Sequence, residues 1–419
     1  MTTLTDPPKE SFRLSMLIYD SRYRAMTIQF VALLGFLLTA AWLVNNTSHN
    51  LAKSGKTIDF GFLEQPASYD INQRLIDYNS RDTHARAAFV GLLNTLLVAV
   101  MGCTLATFLG VFIGVLRLSK NWLIARLMTV YVEWFRNIPI LLFIVFTNAI
   151  LIGIMPAPSA FRGDNPSAHM IAFDSVAVTN RGIYAPEPLF SHSLGNLPVF
   201  WGGFQISIDL VAILAVLFGG LVVAGLIRHR ADRIQEATGD RPVTWYLRLG
   251  VIFIPTLIVL VLLGFHLGYP QLKGFNFKGG IHMRNSLIAL WLALSFYTAA
   301  FIAEIVRAGI MAISKGQTEA AYALGLRPSK TMSLVILPQA LRVIIPPMIS
   351  EYLNLTKNSS LAIAVGYMDI TGTLGGITMN QTGRELECIL LLMLVYLAIS
   401  LSISTVMNWY NERVKLRER

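Results

Sequence analysis

Eight apolar stretches, each long enough to cross a lipid bilayer, constrain the fold of this chain more than any other feature. A bilayer core of about 30 Å needs about 20 helical residues at a rise of about 1.5 Å each. By residue number, the stretches cover 27–44, 89–116, 123–154, 206–227, 249–268, 286–313, 343–365 and 388–408. The sequence therefore predicts an all-α integral membrane protein with about eight transmembrane helices.

Composition supports this fold class and argues against others. Only 14% of the 419 residues are charged, whereas soluble domains average about 25%. The net charge of +10 does not indicate nucleic-acid binding, because in a membrane protein the sidedness of the charge matters more than its total. Cys103 and Cys388 lie in apolar stretches and are interpreted as packing residues, so neither a disulfide framework nor a metal site is expected.

The distribution of arginine and lysine predicts the orientation. If the N-terminus is inside, most of the basic residues face the cytoplasm, as the positive-inside rule requires. Both termini are then cytoplasmic. The first stretch is either an uncleaved anchor or a signal peptide with Ala40 and Ala41 near a cleavage site, and its length favours the anchor.

Two long segments are predicted to lie outside. Residues 45–86 carry mixed charge, and residues 156–205 contain six prolines. Because proline removes a backbone donor and interrupts helices, irregular structure is expected in the second segment. It is either an ordinary surface loop or a contact for a partner.

A polar segment, residues 319–338, separates stretches six and seven. Thr318 is a candidate N-cap for a short helix, and Gly325 can take the left-handed conformation that ends it. Ser329 can cap a second short helix from Lys330 to Leu337. By physics alone this unit is either a connector or a rigid body that projects from the membrane.

The residue spacing in this segment resembles the signature loop of ABC importer permeases. The family pattern is Glu-Ala-Ala, three residues, Gly, nine residues, a branched aliphatic residue, one residue and Leu-Pro. It is matched by Glu319, Ala320, Ala321, Gly325, Val335, Leu337 and Pro338. Five further motifs are similar to the polar amino-acid branch of these permeases: Gly91–Thr95, Phe135–Pro139, Gln339–Arg342 followed by Pro346 and Pro347, Asn354–Leu361 and Gln381–Arg384.

The resemblance implies a domain organisation. The five spans of a minimal type I importer permease core map onto stretches two, three, six, seven and eight, and the other three are additions. The predicted parts are an N-terminal cytoplasmic segment, extra helix and periplasmic loop (1–86), the first part of the core (87–155), an inserted loop with two extra helices (156–283), and the second part of the core (284–419) with its ATPase-coupling loop (315–342).

The enlarged layout is similar to the permease subunits of general L-amino-acid importers. The resemblance implies ATP-driven uptake of an L-amino acid across a bacterial inner membrane. It also implies three partner proteins: a cytoplasmic ABC ATPase that binds the ATP, a second and different permease subunit, and a periplasmic amino-acid-binding protein. The remaining alternatives are a secondary transporter driven by an ion gradient and a non-transporting scaffold subunit.

The chain itself is not expected to be an enzyme or to bind a cofactor. Residues 52–57 resemble the end of a phosphate-binding loop, but Asn50 stands where that loop needs glycine. No metal-ligand spacing, nucleophile motif or paired catalytic carboxylates are apparent in the sequence. ATP hydrolysis is therefore expected on the separate ATPase.

Polar residues in stretch seven are the first candidates for the substrate path. Lys357 lies about 21 Å along a helix from Val343 and is surrounded by polar side chains, namely Asn354, Asn358, Ser359 and Ser360. A cation within the membrane faces a cavity or pairs with a partner. Lys357 and Asn358 therefore either bind the substrate carboxylate, or Lys357 is a structural lysine paired across the bundle.

Glu304 in stretch six is the second candidate. It lies three residues before Arg307, so the two can pair on one helical face near the cytoplasmic boundary. The alternative is that Glu304 contacts the substrate ammonium. Gly110 and Gly114 in stretch two have a spacing that favours close helix packing.

Overall fold

The computed structural model describes residues 16–53, 55, 58–163, 165–199 and 204–414. The start of the predicted cytoplasmic N-terminus, the end of the basic tail, and Ser54, Lys56 and Thr57 of the phosphate-loop-like segment lie outside the described residues. The helices are α1 Met16–Tyr19, α2 Ser21–Lys53, α3 His84–Leu116, α4 Trp122–Asn137, α5 Ile140–Ile154, α6 Ile208–Thr238, α7 Trp245–Leu262, α8 Asn285–Met311, α9 Lys315–Ala323, α10 Pro328–Thr331, α11 Leu337–Asn358, α12 Met379–Thr382 and α13 Glu385–Val414.

Short strands complete the secondary structure. They are β1 Ala177–Thr179, β2 Gly182–Ala185, β3 Glu187–Phe190, β4 Asn196–Val199, β5 Phe204–Ser207, β6 Phe265–Gly268, β7 Gln271–Lys273, β8 Asn276–Lys278 and β9 Ile281–Arg284. Strand β9 leads directly into α8. We call this end of the helix bundle the strand end, and the opposite end, where α8 gives way to α9, the loop end.

Eight helices in the described part of the chain are long and apolar enough to cross a membrane. This finding confirms the predicted fold class, a predominantly helical integral membrane protein. The chain divides into two compact units, one up to Gly61 and one from Phe62 onward. In the first unit, α2 is longer at both ends than the predicted stretch 27–44, and apolar side chains such as Phe30, Phe36 and Trp42 are exposed on it, as suits a helix surrounded by lipid.

The core of the second unit is the close contact of α3 with α8. A Cβ atom added at Gly110 would lie 2.6 Å from the Ile302 Cβ, and one at Gly114 would lie 2.7 Å from the Ala303 carbonyl oxygen. Only glycine allows the two backbones to approach this closely. The predicted packing role of these glycines is confirmed. Leu290 and Leu294 of α8 are fully buried beside them in the same core.

The third apolar stretch, predicted as one span from 123 to 154, is two helices. Helix α4 ends at Asn137, and Ile138 is extended (φ −96°, ψ 134°). Proline disfavours the helical conformation of the residue before it and offers no N–H, so Pro139 breaks the helix. The Phe135 and Phe143 rings then pack edge to face across the break, 5.0 Å apart between centroids.

Helices α6 and α7, which the resemblance implies are additions to the core, pack mainly against each other within the described residues. A Cβ at Gly220 would lie 2.9 Å from the Val251 carbonyl oxygen, so their backbones are close there. Helix α6 continues past the predicted end at residue 227 to Thr238, where Gly239 terminates it with φ +80°. Helix α7 ends at Leu262, before the predicted end at residue 268, because the chain turns into strand β6.

The proline-rich segment 156–205, which the sequence predicted to be irregular, is irregular only in part, since it forms short strands from Ala177 onward. Before Ala177, the regular element among its described residues is a 3-10 turn at Pro158–Phe161. Strands β1, β2 and β9 make an antiparallel sheet, and β3 pairs with β6, β4 with β5 and β7 with β8. Pro188 and Pro198 lie in β3 and β4, each of which has a single partner. Proline is tolerated in such edge strands. Strands β6 and β9, which pair with β3 and β2, follow α7 far along the chain.

Candidate functional site

The loop between α8 and α11 contains a short helix with a tightly closed end. Helix α9 runs from Lys315 to Ala323, and Gly325 follows with φ +73°. The Gly325 N–H donates to the Tyr322 carbonyl at 2.9 Å, and the Leu326 N–H donates to the Ala321 carbonyl at 3.1 Å. These two bonds form a Schellman motif. The predicted left-handed glycine is present, whereas the predicted cap at Thr318 is wrong, because Ser314 precedes the helix.

The second half of the loop is continuous with the next span. Pro328 starts α10, which has no cap from Ser329. A wide π turn from Met332 to Ile336 then joins it to α11. The predicted separate helix from Lys330 to Leu337 is therefore wrong, since no residue in this stretch breaks the helical backbone. The second half of the loop and α11 therefore form one continuous helical segment.

The motif residues of the loop divide between packing and exposure. Ala321 is 3% exposed, while Glu319 and Ala320 are exposed and Val335 and Pro338 are half-buried. The loop also exposes the large apolar side chains Tyr322, Leu324, Met332 and Leu334, of which Leu324 is 82% exposed. Leu337 is exposed as well. Exposed apolar side chains on a rigid loop are typical of a protein contact surface.

A three-residue ionic cluster lies beside this loop. The Arg307 Nη2 atom is 2.6 Å from the Glu304 Oε1 atom, which is the predicted pair. Arg117, at the end of α3, donates from Nη1 to the other oxygen, Oε2. The sequence did not predict Arg117, because the partner comes from a helix nearly two hundred residues away. Both oxygens of Glu304 are therefore occupied by arginines.

The polar residues predicted in stretch seven lie at the strand end. Helix α11 begins at Leu337 and not at Val343. Lys357 is therefore 20 residues, or about 30 Å, from the start of the helix, whereas a start at Val343 would give about 21 Å. The two internal prolines do not delay its start. Asn354 and Lys357 are exposed, Asn358 and Ser360 are half-buried, and Ser359 is buried with its hydroxyl on the Thr356 carbonyl at 2.8 Å. The structure keeps Glu304, near the loop end, apart from this group.

Regular helix ends at Asn358 and gives way to a 3-10 segment from Ser359 to Val365, which Gly366 terminates with φ +70°. No carboxylate among the described residues lies within ion-pair distance of Lys357. Its ammonium group is therefore not neutralised by a pair within the described part of this chain.

A cavity of about 530 Å³ opens directly after this segment. Its wall combines small, apolar and carboxamide side chains: Ile363, Gly366, Tyr367, Met368, Gly372, Gly376, Ile377, Asn380 and Gln381. The sequence reasoning noted Gln381 only as part of a motif and missed the cavity. The glycines at 366, 372, 375 and 376 were the available signal, since closely spaced glycines often mark a backbone that approaches something closely.

Residues 368–370 lie against the cavity through Met368, and we call them the cavity floor. Hydrogen bonds of two buried α3 side chains fix this floor to α3. The Asn94 side-chain nitrogen donates to the Met368 carbonyl at 2.8 Å and to the Gln73 carbonyl at 2.7 Å. The Ile370 N–H donates to the Thr95 hydroxyl at 3.1 Å. Buried polar groups satisfied in this way hold a segment in one conformation.

Asp369 lies in the same floor and is fully buried. One of its oxygens accepts from the Gly372 N–H at 2.8 Å, and the other accepts from the Tyr396 hydroxyl at 3.3 Å. This carboxyl group therefore joins the cavity floor to α13. No cluster of three or more potential metal ligands occurs among the described residues.

Comparison with known proteins agrees with this architecture. The family described as "Binding-protein-dependent transport system inner membrane component" matches residues 235–417. The glutamate/glutamine/aspartate/asparagine transport system permease protein BztB of Rhodobacter capsulatus is 60% identical over the full length of both chains. The general L-amino acid transport system permease protein AapQ of Rhizobium johnstonii is 43% identical, over 98% of this chain and 96% of that one.

A third relative is the putative amino-acid ABC transporter permease protein YhdX of Escherichia coli. It is 44% identical over 94% of this chain and 95% of its own length. Because these similarities extend over nearly the whole chain, they include helices α6 and α7 as well as the helices around them. The chain belongs to the family of binding-protein-dependent inner membrane transport components and, within it, to the amino-acid ABC transport permeases.

Proposed function

We propose that this chain is the transmembrane permease subunit of an ATP-driven importer of L-amino acids, and that a separate ATPase drives it through the loop 319–338. The main support is the construction of that loop. Helix α9 has a Schellman end and exposed apolar side chains, and from Pro328 the chain continues as unbroken helix into α11. A rigid loop of this kind transmits the displacement of a docked protein to α11, because closely packed segments deform little.

The proposal includes an orientation and partners. The loop end faces the cytoplasm and meets the ATPase, both termini lie on that side, and the strand end faces the periplasm. The family description names a binding protein, and an amino-acid-loaded binding protein would deliver its cargo at the strand end. A second permease subunit would close the cavity beside Tyr367 and Gly376. No cofactor is assigned to this chain, since the ATP is bound by the partner ATPase.

The proposed cargo is an L-amino acid of the acidic or amide type. BztB is described as a permease for glutamate, glutamine, aspartate and asparagine, and that specificity belongs here only to the proposal. In this chain, Lys357 offers an ammonium group that no carboxylate of the described residues pairs with, and Asn380 and Gln381 offer carboxamides in the cavity that follows the 3-10 segment. A lysine without such a partner at the end of a membrane span is a candidate for contact with an anion.

A pair of glycine substitutions in α9 and its end tests the coupling. Valine at Gly325 must adopt a left-handed backbone, which costs roughly 1–2 kcal/mol, so ATP-driven uptake by the reconstituted transporter should fall about fivefold or more. Gly316 has no positive φ and open space around it, so Gly316→Val is the matched control and should retain uptake.

We would measure uptake of labelled amino acid by proteoliposomes that contain the chain and its partner subunits. ATP is supplied either inside or outside the vesicles. Uptake that proceeds without ATP and follows an imposed ion gradient would show a secondary transporter. Absence of uptake from a complete and correctly assembled complex would show a scaffold subunit. Equal uptake by the Gly325 and Gly316 variants would remove the loop from the coupling route.

A further inference from the structure

The Glu304 carboxylate connects two helices at the point where α8 is about to enter the loop. It accepts from Arg117 at the end of α3 and from Arg307, one turn further along α8. Only the Arg117 contact crosses between helices, whereas the Arg307 contact stays within α8. One carboxylate therefore holds both an intrahelical and an interhelical partner.

The interhelical contact is less exposed to solvent than a surface ion pair. The Arg117 side chain is 8% exposed, compared with 27% for Glu304 and 31% for Arg307. Nearby, a Cβ at Gly114 would lie 2.9 Å from the Val306 Cβ, so the α3 and α8 backbones leave little room for water. Exposed ion pairs contribute little, whereas this contact places a largely buried guanidinium against a carboxylate that is 27% exposed. Loss of the Arg117 charge would leave Glu304 bound by Arg307 alone.

The cluster is close to the place where the proposed drive enters. Helix α8 ends at Met311 and α9 starts at Lys315. Backbone hydrogen bonds from Ala312 to Ala308 and from Ile313 to Ile310 keep the end of α8 wound, and Ser314, which is extended (φ −61°, ψ 142°), joins it to α9. A displacement of α9 therefore reaches α8 through a connector of three residues, two of which are hydrogen-bonded to α8.

The other end of α3 holds the cavity floor. Asn94 and Thr95 of α3 bind the backbone of Met368 and Ile370. Helices α3 and α8 also meet further from the loop end, where the Trp291 Nε1–H group donates to the Met101 carbonyl at 3.0 Å, and they pack closely at Gly110 and Gly114. The ionic contact therefore holds the loop end of a junction that packing holds elsewhere. A displacement shared by α8 and α3 would move the cavity floor as well.

We propose that Glu304 and Arg117 are positioning residues that lock α3 to α8, so that motion of α9 reaches the cavity at the strand end. This inference rests on the proposed function, because it assumes that an ATPase moves α9. It assigns the Glu304 carboxylate to coupling and not to the substrate ammonium. Coupling through such a contact requires a physical connection whose loss can be measured.

Two arginine variants on the same carboxylate separate the lock from a general structural role. Arg117→Gln removes the contact between helices and leaves the Glu304–Arg307 pair. Arg307→Gln removes the contact within α8 and leaves the Glu304–Arg117 link. The readout is the number of amino acids imported per ATP hydrolysed by the complete reconstituted transporter, together with the amount of ATPase that co-purifies.

The expected result is that Arg117→Gln keeps ATP hydrolysis and ATPase binding but lowers uptake per ATP about fivefold or more, within the usual range of coupling between sites. Arg307→Gln should stay near the wild-type ratio. Equal ratios for the wild type and Arg117→Gln would overturn the inference. A proportional loss of uptake and hydrolysis in Arg117→Gln would also overturn it.

If Arg117→Gln does not assemble, a charge exchange replaces it. Arg117→Glu alone should lower uptake per ATP, and the double variant with Glu304→Arg should regain part of it. A double variant no better than the single one would contradict the lock. The wild type is measured first, because absence of ATP-dependent uptake there refutes the proposed function and not this inference.

Discussion

Two charged side chains that the sequence placed in one candidate path have different surroundings. Glu304 lies near the loop end with both oxygens bound by arginines. Lys357 lies at the strand end, exposed, with no carboxylate within ion-pair distance among the described residues. A carboxylate with all of its charge compensated has little attraction left for a substrate ammonium, whereas an uncompensated lysine attracts a carboxylate.

Lys357→Met should therefore reduce uptake while leaving the transporter assembled. A hydrogen bond to a charged group contributes about 1.5–3 kcal/mol, so the loss should be about tenfold or more. ATP hydrolysis and co-purification of the ATPase should be unchanged. Lys273→Met, at an exposed lysine of strand β7, is the matched control and should transport normally. Uptake by Lys357→Met equal to that of the control would remove Lys357 from the path.

The cavity floor between α11 and α13 depends on contacts made by a neighbouring element. Its backbone leaves regular helix twice, in the 3-10 segment from Ser359 to Val365 and in the π turn from Thr371 to Thr378. Wide π turns recur at functional sites because they loosen the regular helical pattern. Here α3 supplies the compensating hydrogen bonds.

Asn94→Ala should release this floor from α3. The substitution removes the donor from the Met368 and Gln73 carbonyls, whose bonds to Asn94 are only partly buried, so the cost stays below the range of about 1–3 kcal/mol for a fully buried unpaired group. Amide hydrogen exchange should become faster across 366–372 and remain unchanged in α8. Asn380→Ala is the control, because Asn380 is exposed and donates only to the Gly376 carbonyl one turn earlier. Unchanged exchange in the Asn94 variant would show that other contacts hold the floor.

At the scale of the whole molecule, this multi-pass inner membrane protein combines a packed core with a separate hairpin of helices. Helices α3, α5, α8 and α11 contribute to one buried cluster. Helices α6 and α7 pack mainly against each other. Along the chain, they lie between strands β3 and β6. Those two strands are antiparallel partners, and Phe190 faces Phe265 in their register.

The hairpin should consequently be removable. Replacing residues 191–264 with Asn-Gly, a favoured two-residue hairpin turn, would join β3 to β6 in their existing register. The shortened chain should remain monodisperse in detergent and melt within a few degrees of the full chain, because the α3–α8 core is untouched. Aggregation of the shortened chain would show that α6 and α7 stabilise the core. Uptake by the reconstituted variant would then report whether transport needs them.

The sequence by itself determined the features that depend on local chemistry. Length and apolarity fixed the eight spans, Gly325 fixed the left-handed end of α9, and the spacing from Glu319 to Pro338 indicated the family. These predictions succeeded because hydrophobic burial in lipid and backbone conformation are properties of short segments. Even the break at Pro139 was present in the sequence, although the long apolar stretch concealed it.

The tertiary structure alone decided the features that depend on distant partners. Arg117 meets Glu304 across 187 residues, Asn94 meets Met368 across 274, and strand β3 pairs with β6 across two intervening helices. Two strands of the proline-rich segment, β2 and β3, have partners elsewhere in the chain, in β9 and β6. A pattern in one segment carries no information about which distant group will satisfy its polar atoms, because that choice is made by the packing of the helices.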